Sequence, residues 1–139
     1  MTAIATPAEL RALVAGKSDP EIHTALEEVG VEQALDQVFA GMAEAFLPEK
    51  AGGRSAVIQY DVASAAGTRS YQLHVADGRC TPARGTPERP RVTFALGAPD
   101  FLRLVTGELK GQTAFFAGKL KLTGDLMLAQ TAEHWFRIG

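Results

Sequence analysis

Hydrophobic positions along the chain change period near residue 50. Through residues 1–47 they recur at helical spacing. Thr6-Pro7-Ala8-Glu9 has the form of a capping box with proline at the first helical position. Leu10, Leu13 and Val14 follow on one face, and Gly16 stops the helix. Ser18-Asp19-Pro20-Glu21 repeats the device, with Ile22, Ala25, Leu26 and Val29 on one stripe and Gly30 as the stop. A third helix carries Val31, Leu35, Val38, Phe39, Met42 and Phe46 along one face, and Pro48 terminates it.

From residue 54 the period becomes two. Ala56, Ile58, Tyr60 and Val62 alternate with polar or smaller neighbours, as do Tyr71, Leu73 and Val75. Asp77-Gly78 supplies a tight hairpin turn before Arg79-Cys80-Thr81. Residues 84–90, with Gly85, Pro87 and Pro90, form a loop, and Val92, Phe94 and Leu96 alternate again. Four strands with one apolar face each describe an antiparallel sheet that is wet on one side and covered on the other. The last third must supply part of the cover. Pro99-Asp100 opens a short helix with Phe101, Leu102, Leu104 and Val105, closed by Gly107, and residues 113–117 make one more helical turn. Lys119-Leu120-Lys121-Leu122-Thr123 is a fifth strand with both lysines outward. Gly124-Asp125 starts a final helix whose first turn, Leu126 to Ala129, is apolar all round, which predicts burial on most sides or contact with an apolar space. The fold class is α+β: a five-stranded, mostly antiparallel sheet covered on one face by helices, with extra N-terminal helices. Ile58, Tyr60, Leu73, Phe94, Leu120 and Leu122 should share the covered face, with Val57, Gln59, His74, Thr93 and Lys121 opposite.

The chain's 139 residues fit one domain, and 46% hydrophobic and 22% charged residues are ordinary for a globular protein. A net charge of −2 argues against a partner held by charge alone, nucleic acid above all. The charge is uneven: residues 1–50 hold nine acids and three bases, the rest seven acids and eleven bases. The plain interpretation is solvated acidic helices beside a mildly basic sheet, and the alternative is weak attraction to anionic lipid through the second part. No apolar run approaches the ~18 residues of a membrane span. One cysteine, Cys80, and three scattered histidines offer neither a disulfide nor a metal cluster. No secretory leader is evident, so the expected compartment is the cytoplasm.

Residues 99–107, Pro-Asp-Phe-Leu-Arg-Leu-Val-Thr-Gly, followed by residues 114–125, Ala-Phe-Phe-Ala-Gly-Lys-Leu-Lys-Leu-Thr-Gly-Asp, resemble the sterol carrier protein type 2 domain family in wording, order and spacing. The preceding helix, hairpin and Val92-Thr93-Phe94 strand fit as well, so the resemblance spans residues 31–136, and a single-domain bacterial member is the kind expected. It implies an apolar tunnel between sheet and helices that takes fatty acids, acyl-CoAs, phospholipids or sterols. The domain is then 31–139, with 1–30 a helical extension that docks on it, or in the same way across a homodimer. The chain departs from the family in two places. Met127 stands alone where relatives have a Met- and Gly-rich helix, and the end, Phe136-Arg137-Ile138-Gly139, is not a peroxisomal address.

A Phe/Leu/Met stripe is by itself only a core face. With the resemblance, Phe101, Val105, Phe115, Phe116, Leu126, Met127 and Trp135 become candidates to line the ligand space, together with Met42, Phe46 and Phe94. The Phe115-Phe116 pair should send one ring to the core and the other to a cavity. Gln130 is either a solvent-facing glutamine or a hydrogen-bond partner for a lipid head group. His74 with Asp77, His134 with Glu133, and Cys80 lack the neighbours that a catalytic role requires. No catalytic residue, metal or cofactor is called for. The expected partner is a lipid or other long apolar molecule, with membrane contact at most transient. The alternative is an interaction or accessory module in lipid or isoprenoid metabolism with a filled core. An enclosed cavity would favour the first, and a solid core with an exposed apolar patch the second.

Overall fold

The computed structural model describes residues 7–136, so Thr6 of the first capping box and the last three residues lie outside it. Three helices open the chain: α1 (Pro7–Val14), α2 (Asp19–Val29) and α3 (Val31–Glu44). The capping box at α2 is complete, with Ser18 and Glu21 satisfying each other's backbone N–H groups. Helix α3 ends two residues before Phe46, and Pro48 begins a short helix, α4 (Pro48–Ala51), rather than ending a long one. Proline is better suited to a first helical turn, where its missing N–H costs nothing. Phe46 therefore sits in the link, bridging to Phe136 as a one-residue antiparallel contact.

The sheet comprises β1 (Ala56–Ser64), β2 (Gly67–Ala76), β3 (Arg79–Arg84), β4 (Val92–Gly97) and β5 (Leu120–Gly124) in the order β3-β2-β1-β4-β5. Asp77 and Gly78 both take positive φ, the geometry of the mirror-image turn that suits a two-residue hairpin. All pairings are antiparallel except β1 with β4, which is parallel. A parallel pair needs a crossover. Residues 85–91 supply it, passing over the sheet face opposite the helices. Outward-facing Gln72 is consequently fully buried, its amide donating to the Glu88 carbonyl at 2.7 Å and to Gln59 Oε1 at 3.0 Å. His74 pairs with Glu88 at 2.8 Å. The face expected to be wet is thus partly roofed by the crossing loop.

The cover on the other face is α5 (Ala98–Thr106), α6 (Gly111–Phe116), α7 (Leu126–Ala132) and a closing 3-10 turn, Glu133–Trp135, together with α3. Helix α3 packs over β2 and β3, α5 over β1 and β4, and α7 over β4 and β5. The register follows the alternation: Ile58 pairs with Leu73, Tyr60 with both Tyr71 and Phe94, Phe94 with Leu122, and Leu96 with Leu120. Gln59, Thr93 and Lys121 fall on the opposite face. Helices α1 and α2 bury Leu10, Leu13, Val14, Ile22 and Leu26 and pack on α5. Arg103 of α5 holds them there, pairing with Asp19 at 2.6 Å and donating to the Lys17 carbonyl at 3.1 Å.

Candidate functional site: the covered face of β4 and β5

The middle of the covered face is filled by rings. Phe39 stacks on Tyr71 at 4.4 Å and on Phe101 at 5.1 Å, and Tyr60 lies 5.0 Å from Phe94. Toward β2 and β1 this face is closed, with Leu73, Val62 and Ile58 fully buried. Toward β5 the cover thins. Phe94 and its cross-strand partner Leu122 are only half-buried, while Val92, Leu96 and Leu120 around them are buried. A window of apolar surface is therefore left over the centre of β4–β5, bordered by α6 and α7.

Large apolar side chains on the two bordering helices are exposed. Phe115 is 41%, Phe116 77%, Leu126 48% and Met127 80% accessible. This corrects two expectations. Neither phenylalanine packs into the core; their rings instead meet edge to face at 5.6 Å. The first turn of α7 is not buried on most sides either: Leu128 and Ala129 turn inward, while Leu126 and Met127 face solvent. The helix hangs from its start. Asp125 caps it, Oδ1 accepting from the Leu128 N–H at 3.0 Å and Oδ2 pairing with Arg91 at 2.9 Å. The capping amide first, and Arg91 next, hold this carboxyl below the usual carboxylate range.

The other candidates are scattered. Phe101 and Trp135 are buried core residues, Phe46 packs against Phe136 at 5.6 Å, and Met42 and Val105 are half-buried. Gln130 is solvent-exposed. The Trp135 indole N–H is buried without a partner among the described residues, while its carbonyl accepts from the Leu47 N–H at 2.6 Å. The sequence alone does not point to Leu122 as a site residue, because alternation assigns a face but does not say that the strand lies at an edge. Two hollows of the surface lie elsewhere. One is an open groove of about 610 Å³ between α1 and α2, and the other a shallow depression of about 210 Å³ beside Arg69 and Arg84. Neither touches β5, α6 or α7, so the enclosed tunnel expected between sheet and helices is not among them.

Burial pushes the Cys80 thiol up to about 11, which makes it a poor nucleophile. No three metal-binding side chains converge among the described residues.

Residues 35–137 match the sequence model of the SCP-2 sterol transfer family. The chain is 29% identical to human sterol carrier protein 2 over 114 residues, which is 82% of this chain and 18% of that protein. Among solved structures, the fold is similar to the inverting sec-alkylsulfatase Pisa1 from Pseudomonas sp. The TM-score there is 0.66 at 21% identity, over 76% of this chain and 16% of the sulfatase. It is also similar to palmitated SCP2L2 from Aedes aegypti, with a TM-score of 0.58 at 23% identity over 72% of this chain and 87% of that one.

Proposed function

We propose that this chain, which belongs to the SCP-2 sterol transfer family, carries single-chain lipids, with the acyl chain seated in the window over β4–β5. The observation that carries the reading is the half-buried pair Phe94 and Leu122 beneath a rim of exposed Phe115, Phe116, Leu126 and Met127. An apolar floor left open in an otherwise closed face is where methylenes gain most by leaving water. The palmitate named with the Aedes aegypti relative supports an acyl ligand. Seating such a chain requires the first turn of α7 to lift or its rim side chains to turn, since the ring-filled core offers no ready channel. Head groups stay at the rim, because burying a charge without a partner is costly. On this reading residues 31–139 are the lipid-binding unit of a cytoplasmic protein, and 1–30 are a docked extension that braces α5. The chain works without catalysis, as a carrier.

A 16-carbon chain gains roughly 12 kcal/mol gross at about 0.8 kcal/mol per methylene. Ordering and association cost on the order of 4–15 kcal/mol, so micromolar binding, about −8 kcal/mol, is reached only near the low end of that cost. Native mass spectrometry of freshly purified protein, followed by lipid extraction, tests the reading. Adducts with the masses of fatty acids, acyl-CoAs or phospholipids are expected, and protein that stays bare after incubation with palmitate would sink it. The packed ring core together with the exposed patch favours one second reading, an interaction module with a filled interior. That reading predicts a protein partner captured through Phe116 and Met127 and no lipid adduct.

A further inference from the structure

The loop that crosses the far face of the sheet is fastened there through one histidine. The His74 side chain is 24% exposed and both ring nitrogens are engaged, Nδ1 lying 2.8 Å from Glu88 Oε2 and Nε2 2.9 Å from Gln72 Oε1. The orientation of the Gln72 amide is forced. The Glu88 backbone carbonyl can only accept, so the atom that meets it at 2.7 Å is the Gln72 amide nitrogen. The same nitrogen donates to Gln59 Oε1 at 3.0 Å, and Gln59 is oriented in turn by donating to Asp61 at 2.9 Å. The Gln72 oxygen is left facing His74 and the Glu88 N–H, which donates to it at 3.3 Å. Each ring nitrogen therefore meets an acceptor. Both contacts are hydrogen bonds only when each nitrogen carries a proton, that is, when the ring is a cation. Gln72 cannot turn to suit a neutral ring, because it is fully buried and a flip would set its oxygen against the Glu88 carbonyl.

We infer that His74 and Glu88 form a proton-operated latch on the crossover loop: the cationic ring ties the Glu88 side chain to β2, and loss of one proton sets a lone pair against an acceptor and releases it. The part that yields is the Glu88 carboxylate, whose side chain is 60% exposed. Imidazoles ordinarily gain the second proton near pH 6.5, so the latch closes as pH falls through that range and opens above it. In register His74 sits between Val57 of β1 and Thr81 of β3, neither of them charged. The charged side chains of this face are Asp61 of β1, Arg79 of β3 and, on the loop, Glu88, Arg89 and Arg91, with Lys121 of β5 three strands away. Of these, Glu88 touches the ring, Asp61 reaches it only through Gln59 and Gln72, and Arg91 is held by Asp125. The loop runs on to Arg91, whose carbonyl accepts from the Asp125 N–H at 2.9 Å where α7 begins. The latch thus bears on the segment that anchors one border of the β4–β5 window, but it does not depend on the carrier reading.

Urea unfolding of the full chain and of Glu88→Gln, at pH 5.5 and at pH 8.5, tests it. The exposed substitution spares the fold, and His23 and His134 titrate alike in both proteins and cancel. The unfolding constant of Glu88→Gln relative to wild type should be about threefold larger at pH 5.5 than at pH 8.5, the scale of a partly exposed ion pair. The same comparison in a His74→Gln background should give a ratio that does not move with pH, which assigns the effect to this ring. Nuclear magnetic resonance of the unaltered chain gives the local readout. The amide signals of Thr86, Glu88 and Arg89 should shift with the same midpoint as the His74 ring. A ratio indifferent to pH, an equal pH dependence in the His74→Gln background, or loop amides that do not follow the ring would each overturn the latch.

Discussion

Gly124 shows how far a single residue can be pinned. Its φ is +100°, and a Cβ there would stand 2.4 Å from the Arg91 carbonyl oxygen. Gly118 also has positive φ, +76°, but nothing lies within 4 Å of its missing Cβ. Gly118→Ala should therefore cost only about 1 kcal/mol, the ordinary charge for positive φ. Gly124→Ala should cost on the order of 1–3 kcal/mol more, through backbone strain where β5 meets β4. Urea unfolding of the two variants measures the gap, and equal losses would mean that the contact with Arg91 yields freely. The ion pairs at the opposite edge are testable by pH. Arg84 pairs with Asp36 and, at 2.9 Å, with Glu32, while the Tyr71 hydroxyl donates to Asp36 at 2.7 Å. Arg84 above all holds the Asp36 carboxyl below its ordinary value, so the unfolded chain binds the proton more tightly than the folded one. The stabilisation is full above the unfolded value of about 3.9 and fades as pH falls through the lower folded value. The stability gap between wild type and Asp36→Asn should shrink from pH 7 to pH 3, and a constant gap would show that the carboxylate is not coupled to folding. None of these partners is visible in the sequence, because they join positions dozens of residues apart.

At the scale of elements, most of the architecture was legible where one period held for a full helix or strand. The Ser18–Glu21 box, the Asp77-Gly78 hairpin and the alternation of residues 56–62 and 119–123 all describe real boundaries to within a residue or two. The failures share a cause: each depends on where a neighbour lies. Pro48 stops a helix and starts one equally well; here it starts α4, and Phe46 in the link before it bridges to Phe136. Gln72 alternates outward and is still fully buried, because β4 must reach the far side of β1 and its connection crosses that face. The N-terminal helices were legible as ordered by their caps and stripes, and their seat on α5 makes the claim quantitative. Leu26 is fully buried in α2, so Leu26→Ala should cost about 2–5 kcal/mol. Deleting residues 1–29 should lower the melting temperature or change the oligomeric state. A truncated chain that melts like wild type and sediments like it would show that α1 and α2 contribute nothing to the fold.

For the whole molecule, the family resemblance pointed to more of the candidate site than periodicity did. Alternation identified Phe94 and Leu122 as covered residues, but it could not show that the cover thins above them. The apolar first turn of α7 pointed to burial on most sides or to an apolar space, and its two halves part: Leu128 and Ala129 are buried while Leu126 and Met127 are exposed. The core is closed by Phe39, Tyr60, Tyr71 and Phe101, and the most exposed large apolar side chains among the described residues flank β5, which is where the carrier reading seats a lipid. Apolar contact has little direction, so selectivity among single-chain lipids should be loose and affinity should follow chain length. Replacing Phe116 or Met127 with a charged residue should weaken fatty-acid binding at least tenfold. The central claim is tested most directly by titrating wild-type protein in vesicle-free solution with fluorescent fatty acids of increasing length. The account predicts saturable, micromolar binding that strengthens with each added methylene and then levels off once the window is filled. Absence of saturable binding up to the solubility limit of the lipid, or affinity indifferent to chain length, would contradict it.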